Sequence, residues 1–119
     1  MFDFKDVLIS PSASFLEAMK IIDKGAAQIA LVVDDHRRLL GTLTDGDIRR
    51  GLERIPNQDF FALKAVDLMT ESPKEITPEA SLLDAELMMK EARITSLIVK
   101  SGQTLIGLIA KHQIDQLTS

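Results

Sequence analysis

The chain has 119 residues, 27% of them charged, and a formal net charge of −4; this is the size of one domain, and the charge balance argues against general nucleic-acid binding. It contains no cysteine, tryptophan or tyrosine, 4% aromatic residues and two histidines. That excludes disulfides and thiol chemistry and leaves little for a base-stacking platform or a histidine metal site.

Apolar residues make up 45% of the chain, enough for a real core, yet no run reaches the roughly eighteen apolar residues of a membrane span. The opening MFDFKDVLIS lacks the basic start and long apolar stretch of a signal peptide. The cytoplasm is the expected compartment.

In chain order, the first helix starts at Ser14, which with Glu17 has the spacing of a capping box, and stops near Gly25, a good C-terminal residue. A short apolar strand follows over 27–33. The polar DDHRR suits a hairpin turn, which explains Asp34 and Asp35 better than a metal site does and leaves His36 solvated. A second strand spans 39–43, and a short helix spans 45–54. The stretch from Pro56-Asn57 to residue 75 then carries Phe60, Phe61, Leu63, Val66, Leu68 and Met69. It is expected to be a partly ordered connector packed on the body, with Phe60 and Phe61 serving either that packing or a dimer contact. Ser81 and Asp84 repeat the capping-box spacing before a second long helix. Strands at 96–99 and 105–109 flank the turn SGQ, and a helix over 111–117 closes the chain, with His112 on its surface. Met19, Met69, Met88 and Met89 sit at helical spacings as core filler.

This order is a repeat. Pro11, Ala13, Ser14, Ala18 and Val32 fall on Pro78, Ala80, Ser81, Ala85 and Val99 at an offset of 67. One residue is lost in the turn, and Leu39, Gly41 and Ile48 fall on Leu105, Gly107 and Ile114 at an offset of 66. Each half is an α-β-β-α unit of about fifty residues, marginal alone, so two copies packed face to face are expected to share a core.

The residues that invite a chemical reading are Thr44-Asp45-Gly46-Asp47, where a strand gives way to a helix. Three readings apply. In the first, Thr44 and Asp47 cap the helix, with acidic groups well placed against the helix dipole, a contribution of about 1 kcal/mol. In the second, the turn is a ligand site. Free amides and a hydroxyl suit an anion, a carboxylate in the first helical turn accepts both hydrogen bonds of a ribose diol, and Gly46 lets a ligand come close. The third is catalysis or metal binding by Asp45 and Asp47, for which no nucleophile, partner base or third ligand lies nearby.

The doubled unit, each copy closing on Gly-apolar-apolar, resembles a CBS domain pair, or Bateman module. Gly41-Thr42-Leu43-Thr44-Asp45-Gly46-Asp47 matches its motif in copy one, and VDLMTESPKEITPEASLLDA, with Met69, Pro73, Thr77 and Pro78, resembles the opening of a second motif. The resemblance runs from about Val7 to Leu117. It implies an α/β (α+β) fold of two β-α-β-β-α repeats with pseudo-two-fold symmetry, divided as 1–55, a connector over 56–66, and 67–119. It further implies an adenosine-containing ligand (AMP, ADP, ATP, S-adenosylmethionine or a relative) in a cleft between the motifs, and a disk-like homodimer. The ribose-binding aspartate falls on Asp47 and the phosphate-side hydroxyl on Thr44, with Leu43, Asp45 and Gly46 beside them. Ile9, Ser10 and Pro11, and Ala27 and Gln28, fall where the family holds base and ribose. Arg49 and Arg50 are weaker candidates for phosphate and sit as readily on an ordinary surface.

Copy two departs from the pattern, with Ala110 where Thr44 stands and Gln113 where Asp47 stands. Gln113 cannot offer two acceptor oxygens and Ala110 has no hydroxyl, so one competent site is expected, although Thr77, Thr95 and Lys111 could still touch a ligand. TDGDIRR is similar to CBS pairs attached to arabinose-5-phosphate isomerases and to bacterial sugar-1-phosphate nucleotidyltransferases. The expected role is therefore a non-enzymatic sensor of an adenine nucleotide, with no obligatory cofactor or metal and no nucleic-acid or membrane partner, acting on a fused or partner enzyme. The rival is a structural homodimerisation module without a physiological ligand.

Overall fold

A computed structural model of the chain describes residues 4–24, 28–54, 59–111, 114 and 115. The chain divides into two compact units, residues 5–73 and residues 74–119, the latter joined by Phe4. Each has its own sheet and its own apolar cluster.

The first unit begins within a 3-10 turn (Phe4–Val7) and continues with β1 (Leu8–Ile9), α1 (Phe15–Lys24), β2 (Ile29–Val33), β3 (Leu39–Thr44) and α2 (Asp45–Arg54). The sheet order is β1-β2-β3-β4, where β4 is Thr70–Glu71. All five residues of β2 are buried, as befits an inner strand of β-branched and aliphatic residues. Ala18 and Ile22, four residues apart, put one face of α1 against Ala30, Val32, Leu43, Ile48 and Leu68. α2 occupies the span expected from the sequence, whereas β2 begins at Ile29 and β3 runs one residue further, to Thr44. Ala27 and Gly25 lie outside the described residues.

The turn between β2 and β3 is held by Asp34. Its Oδ1 accepts from the His36 and Arg38 amides at 2.8 and 2.9 Å, and Arg37 takes a left-handed φ of 60°. The Arg38 amide, reinforced by that of His36, holds the Asp34 carboxyl below its ordinary range.

The connector packs on the body. After a 3-10 turn at Phe60–Ala62 it forms α3 (Ala65–Leu68) and then β4. The Ala65 amide donates to the Ala13 carbonyl at 2.9 Å, that of Val66 to Pro11 at 3.1 Å, and that of Phe15 to Leu63 at 3.2 Å. Phe61 is 70% exposed, with its ring edge-on to Phe15 at 6.3 Å. The Phe60 side chain lies outside the described residues.

The second unit repeats the plan with β5 (Glu75–Ile76), α4 (Leu82–Ala92), β6 (Ser96–Ser101) and β7 (Thr104–Ala110), in the order β5-β6-β7. The duplication extends to register. Leu8 pairs with Leu31 and Glu75 with Ile98; Val32 pairs with Gly41 and Val99 with Gly107; both hairpins carry an irregularity one residue on. The lost residue in the second turn is why the offset changes there. Ser81 caps α4 as expected, its Oγ accepting from the Asp84 amide at 3.1 Å while Asp84 Oδ2 accepts from the Ser81 amide at 3.2 Å. Ala85 and Met89 take the places in this core that Ala18 and Ile22 take in the first. Most of the expected helix over 111–117, including His112 and Gln113, lies outside the described residues. No helix among the described residues is long and apolar enough to cross a membrane.

Candidate functional site

Asp47 is the one buried acidic residue among those described, 4% exposed, on the first turn of α2. Burial of a carboxylate demands partners, and it has four. Oδ2 accepts from the Thr44 amide at 2.9 Å and from Thr44 Oγ1 at 3.1 Å. Oδ1 accepts from Arg50 Nη2 at 2.6 Å and from Thr70 Oγ1 at 2.5 Å. The Asp47 amide donates back to Thr44 Oγ1 at 3.3 Å. The helix cap expected at Thr44 and Asp47 is therefore formed, and the same carboxylate does more than cap.

Three glycines let the surroundings close on Asp47. A Cβ on Gly41 would lie 2.6 Å from the Thr70 carbonyl oxygen, so β4 reaches its place beside β3 only because position 41 has no side chain. A Cβ on Gly51 would lie 2.4 Å from Leu68 Cδ2, where α2 meets α3. At Gly46 the nearest atom to an added Cβ is Arg50 Nη1, at 3.2 Å. The sequence suggested that Gly46 clears space for a ligand; what occupies that space is the Arg50 guanidinium.

Beside Oδ1 opens a cavity of about 330 Å³, lined by Asp47, Arg50, Glu53, Arg54, Leu68, Met69 and Thr70. This falls within the usual size range of small-molecule sites. Its lining offers hydrogen-bonding groups of both signs over an apolar floor.

The other predicted residues are distributed unevenly. Leu43 is fully buried in the core, and Asp45 and Arg49 are exposed on α2. Gln28, exposed and at a left-handed φ of 57°, precedes Ile29, which pairs with Thr44, so Gln28 lies at the Thr44 end of the sheet. Ile9 pairs with Val32, which places Ser10 and Pro11 at the opposite end of β2. There Ser10 Oγ bonds Ser12 Oγ at 2.9 Å, and the Pro11 carbonyl is taken by Val66. Thr70 and Arg54 were not singled out from the sequence as site residues.

In the second unit Ala110 is buried at the end of β7, and the Lys111 amide donates to the Thr95 carbonyl at 2.8 Å. Thr77 lines a smaller, more apolar cavity of about 140 Å³ with Pro78, Ala85, Val99 and Ile109. Lys111 Nζ lies 3.9 Å from Asp115 Oδ2. Among the described residues no group of three or more His, Cys, Asp or Glu side chains is placed to hold a metal ion.

Comparison with known proteins agrees with this architecture. The CBS domain model matches twice, over residues 4–54 and 65–116, and the chain belongs to that family. It is 32% identical over 104 residues to the arabinose 5-phosphate isomerase KdsD of Yersinia pestis, covering 87% of this chain and 31% of the isomerase. It is 35% identical over 102 residues to a probable arabinose 5-phosphate isomerase of Haemophilus influenzae, covering 85% and 30%. The chain thus spans about a third of the length of these relatives. Among solved structures, a CBS-domain protein from Agrobacterium tumefaciens superposes with a TM-score of 0.85 at 17% identity, covering 95% of this chain and 84% of that one. CBSX2 in complex with AMP superposes with a TM-score of 0.79 at 23% identity, covering 93% and 85%. These likenesses establish the fold.

Proposed function

We propose that this CBS pair is a regulatory module that binds an adenine nucleotide at its first motif, with Asp47 receiving the ribose diol and Thr44 on the phosphate side. The observation that carries the proposal is the buried Asp47 carboxylate opening onto a cavity of ligand size. A buried pair of carboxylate oxygens at a strand–helix turn is what a diol needs, because both hydroxyls must donate. Support for the adenine comes from the AMP complex of CBSX2, a protein of the same fold. Gln28 lies at the same end of the sheet and belongs to the proposed site with Gly46 and Asp45. The assignment of Ile9, Ser10, Pro11 and Ala27 to base and ribose rests on family resemblance alone.

Two relatives, at 32% and 35% identity, are an arabinose 5-phosphate isomerase and a probable one, so the regulated enzyme is proposed to be of that kind, fused or in trans, in the cytoplasm, with the module acting as a homodimer. Regulation would be a population shift, in which the nucleotide favours one arrangement of the module over another. The second motif, with Ala110 and Gln113, is proposed not to hold a ribose.

One observation favours the rival, a structural dimerisation module: every acceptor position of Asp47 is already taken within the chain. Calorimetric titration of AMP, ADP, ATP and S-adenosylmethionine into wild type and Asp47→Asn separates the two. Binding at one site per chain, lost in Asp47→Asn, supports the sensor. No heat from any nucleotide with a folded dimer supports the rival.

A further inference from the structure

We infer that Thr70, together with Arg50, is an intramolecular competitor for the Asp47 carboxylate, so that ligand hydroxyls enter only by displacing β4's own side chain. The inference rests on the reading of Asp47 as the ligand's acceptor.

It follows from counting acceptors. A carboxylate offers about four lone-pair positions, and here two on Oδ2 and two on Oδ1 are filled by groups of the chain. A diol needs two of them. Oδ2 is the fixed side. The Thr44 amide is held by the turn from β3 into α2, and Thr44 Oγ1 is tied a second time by the Asp47 amide. Oδ1 is the exchangeable side. Thr70 and Arg50 both line the cavity, Thr70 is exposed, and the Arg50 side chain is 64% exposed. Either group, once released, finds water at little cost.

The fold builds this closed arrangement deliberately. Gly41 admits β4 close enough for Thr70 to reach Oδ1, and the Arg50 guanidinium lies beside Gly46 at the start of α2. Neither contact is needed to cap the helix, which Thr44 and Asp47 do between themselves. Thr70 also pairs with Thr42 through the short strand β4, three residues ahead of Pro73, the end of the first unit. Occupancy of Asp47 is thereby tied to the seating of β4.

Adenosine, which carries the diol without phosphate, is the discriminating titrant, because phosphate would give Arg50 a second role. Wild type, Thr70→Val, Arg50→Met and Asp47→Asn are titrated by calorimetry, with circular dichroism as the check on folding. The expected result is about two- to fivefold tighter adenosine binding in Thr70→Val and in Arg50→Met, since each removes one competing hydrogen bond from an exposed group, and loss of binding in Asp47→Asn. Arg50→Met, at an exposed position, carries the test should Thr70→Val disturb β4. If Asp47→Asn loses binding while neither Thr70→Val nor Arg50→Met tightens it, the competitor inference is overturned and the sensor reading stands. If Asp47→Asn binds as wild type does, or if no protein binds adenosine, AMP or ATP, the sensor reading fails and takes the inference with it.

Discussion

Replacing Asp47 with alanine removes the four hydrogen bonds its carboxylate accepts at the start of α2, and the structure says which of them matter. Arg50 and Thr70 are exposed and regain water, so their loss costs little. The Thr44 amide is partly buried and is left without its acceptor, at about 1 kcal/mol or somewhat more. Losing the acidic group from the first turn of α2, where it faces the helix dipole, costs up to about another 1 kcal/mol. Asp47→Ala is therefore expected to destabilise the chain by about 2 kcal/mol, a fall in Tm of about 8 °C at this size. Asp47→Asn keeps one acceptor oxygen for the Thr44 amide and should lose about half as much. Urea unfolding followed by circular dichroism checks this, with the midpoint moving and the slope unchanged. An Asp47→Ala protein as stable as wild type would show that the buried carboxylate contributes nothing to the fold, and the reasoning from its partners would be wrong.

Three further outcomes are expected. Gly41→Ala should destabilise by about 1–3 kcal/mol, because its Cβ meets the Thr70 backbone oxygen at 2.6 Å and β4 must shift; an unchanged Tm would contradict the close approach. Ser81→Ala should cost about 1 kcal/mol by removing the acceptor for the Asp84 amide, measured by the same urea titration. Asp34 should titrate, by carboxyl-carbon NMR, with a midpoint below that of the same residue in a peptide spanning 33–39. Its folded pKa is depressed, chiefly by the Arg38 amide. The turn's contribution is therefore present above the unfolded pKa and is lost as pH falls through the folded one. Equal midpoints would refute it.

Much of this was legible in the sequence because it is written in short-range pattern. The duplication showed in the offset of 67 residues before the hairpin turn and 66 after it, and the registers of the two hairpins reproduce it residue for residue. The span of α2 was legible because Thr44, Asp45 and Asp47 mark its start. Thr70 was not. It lies 23 residues from Asp47 in a two-residue strand with no alternation to betray it. The one available signal was Gly41, whose missing side chain admits β4, and nothing local says which segment approaches. The Arg50 guanidinium beside Gly46 is consistent with the i, i+4 spacing of the two positions on α2. The parallel pairing of β1, which sets Ser10 near the Val33 end of β2, is a relation between distant segments that no local pattern shows.

The central claim, that Asp47 is the acceptor for a ribose diol, is tested most directly by removing a hydroxyl from the ligand. AMP and 2′-deoxy-AMP are titrated into wild type and Asp47→Asn. The expected result is that wild type binds AMP about tenfold or more tightly than the deoxy compound and that Asp47→Asn shows no such preference. Equal affinity of wild type for the two nucleotides would contradict the claim and leave Thr44 and Asp47 as a helix cap.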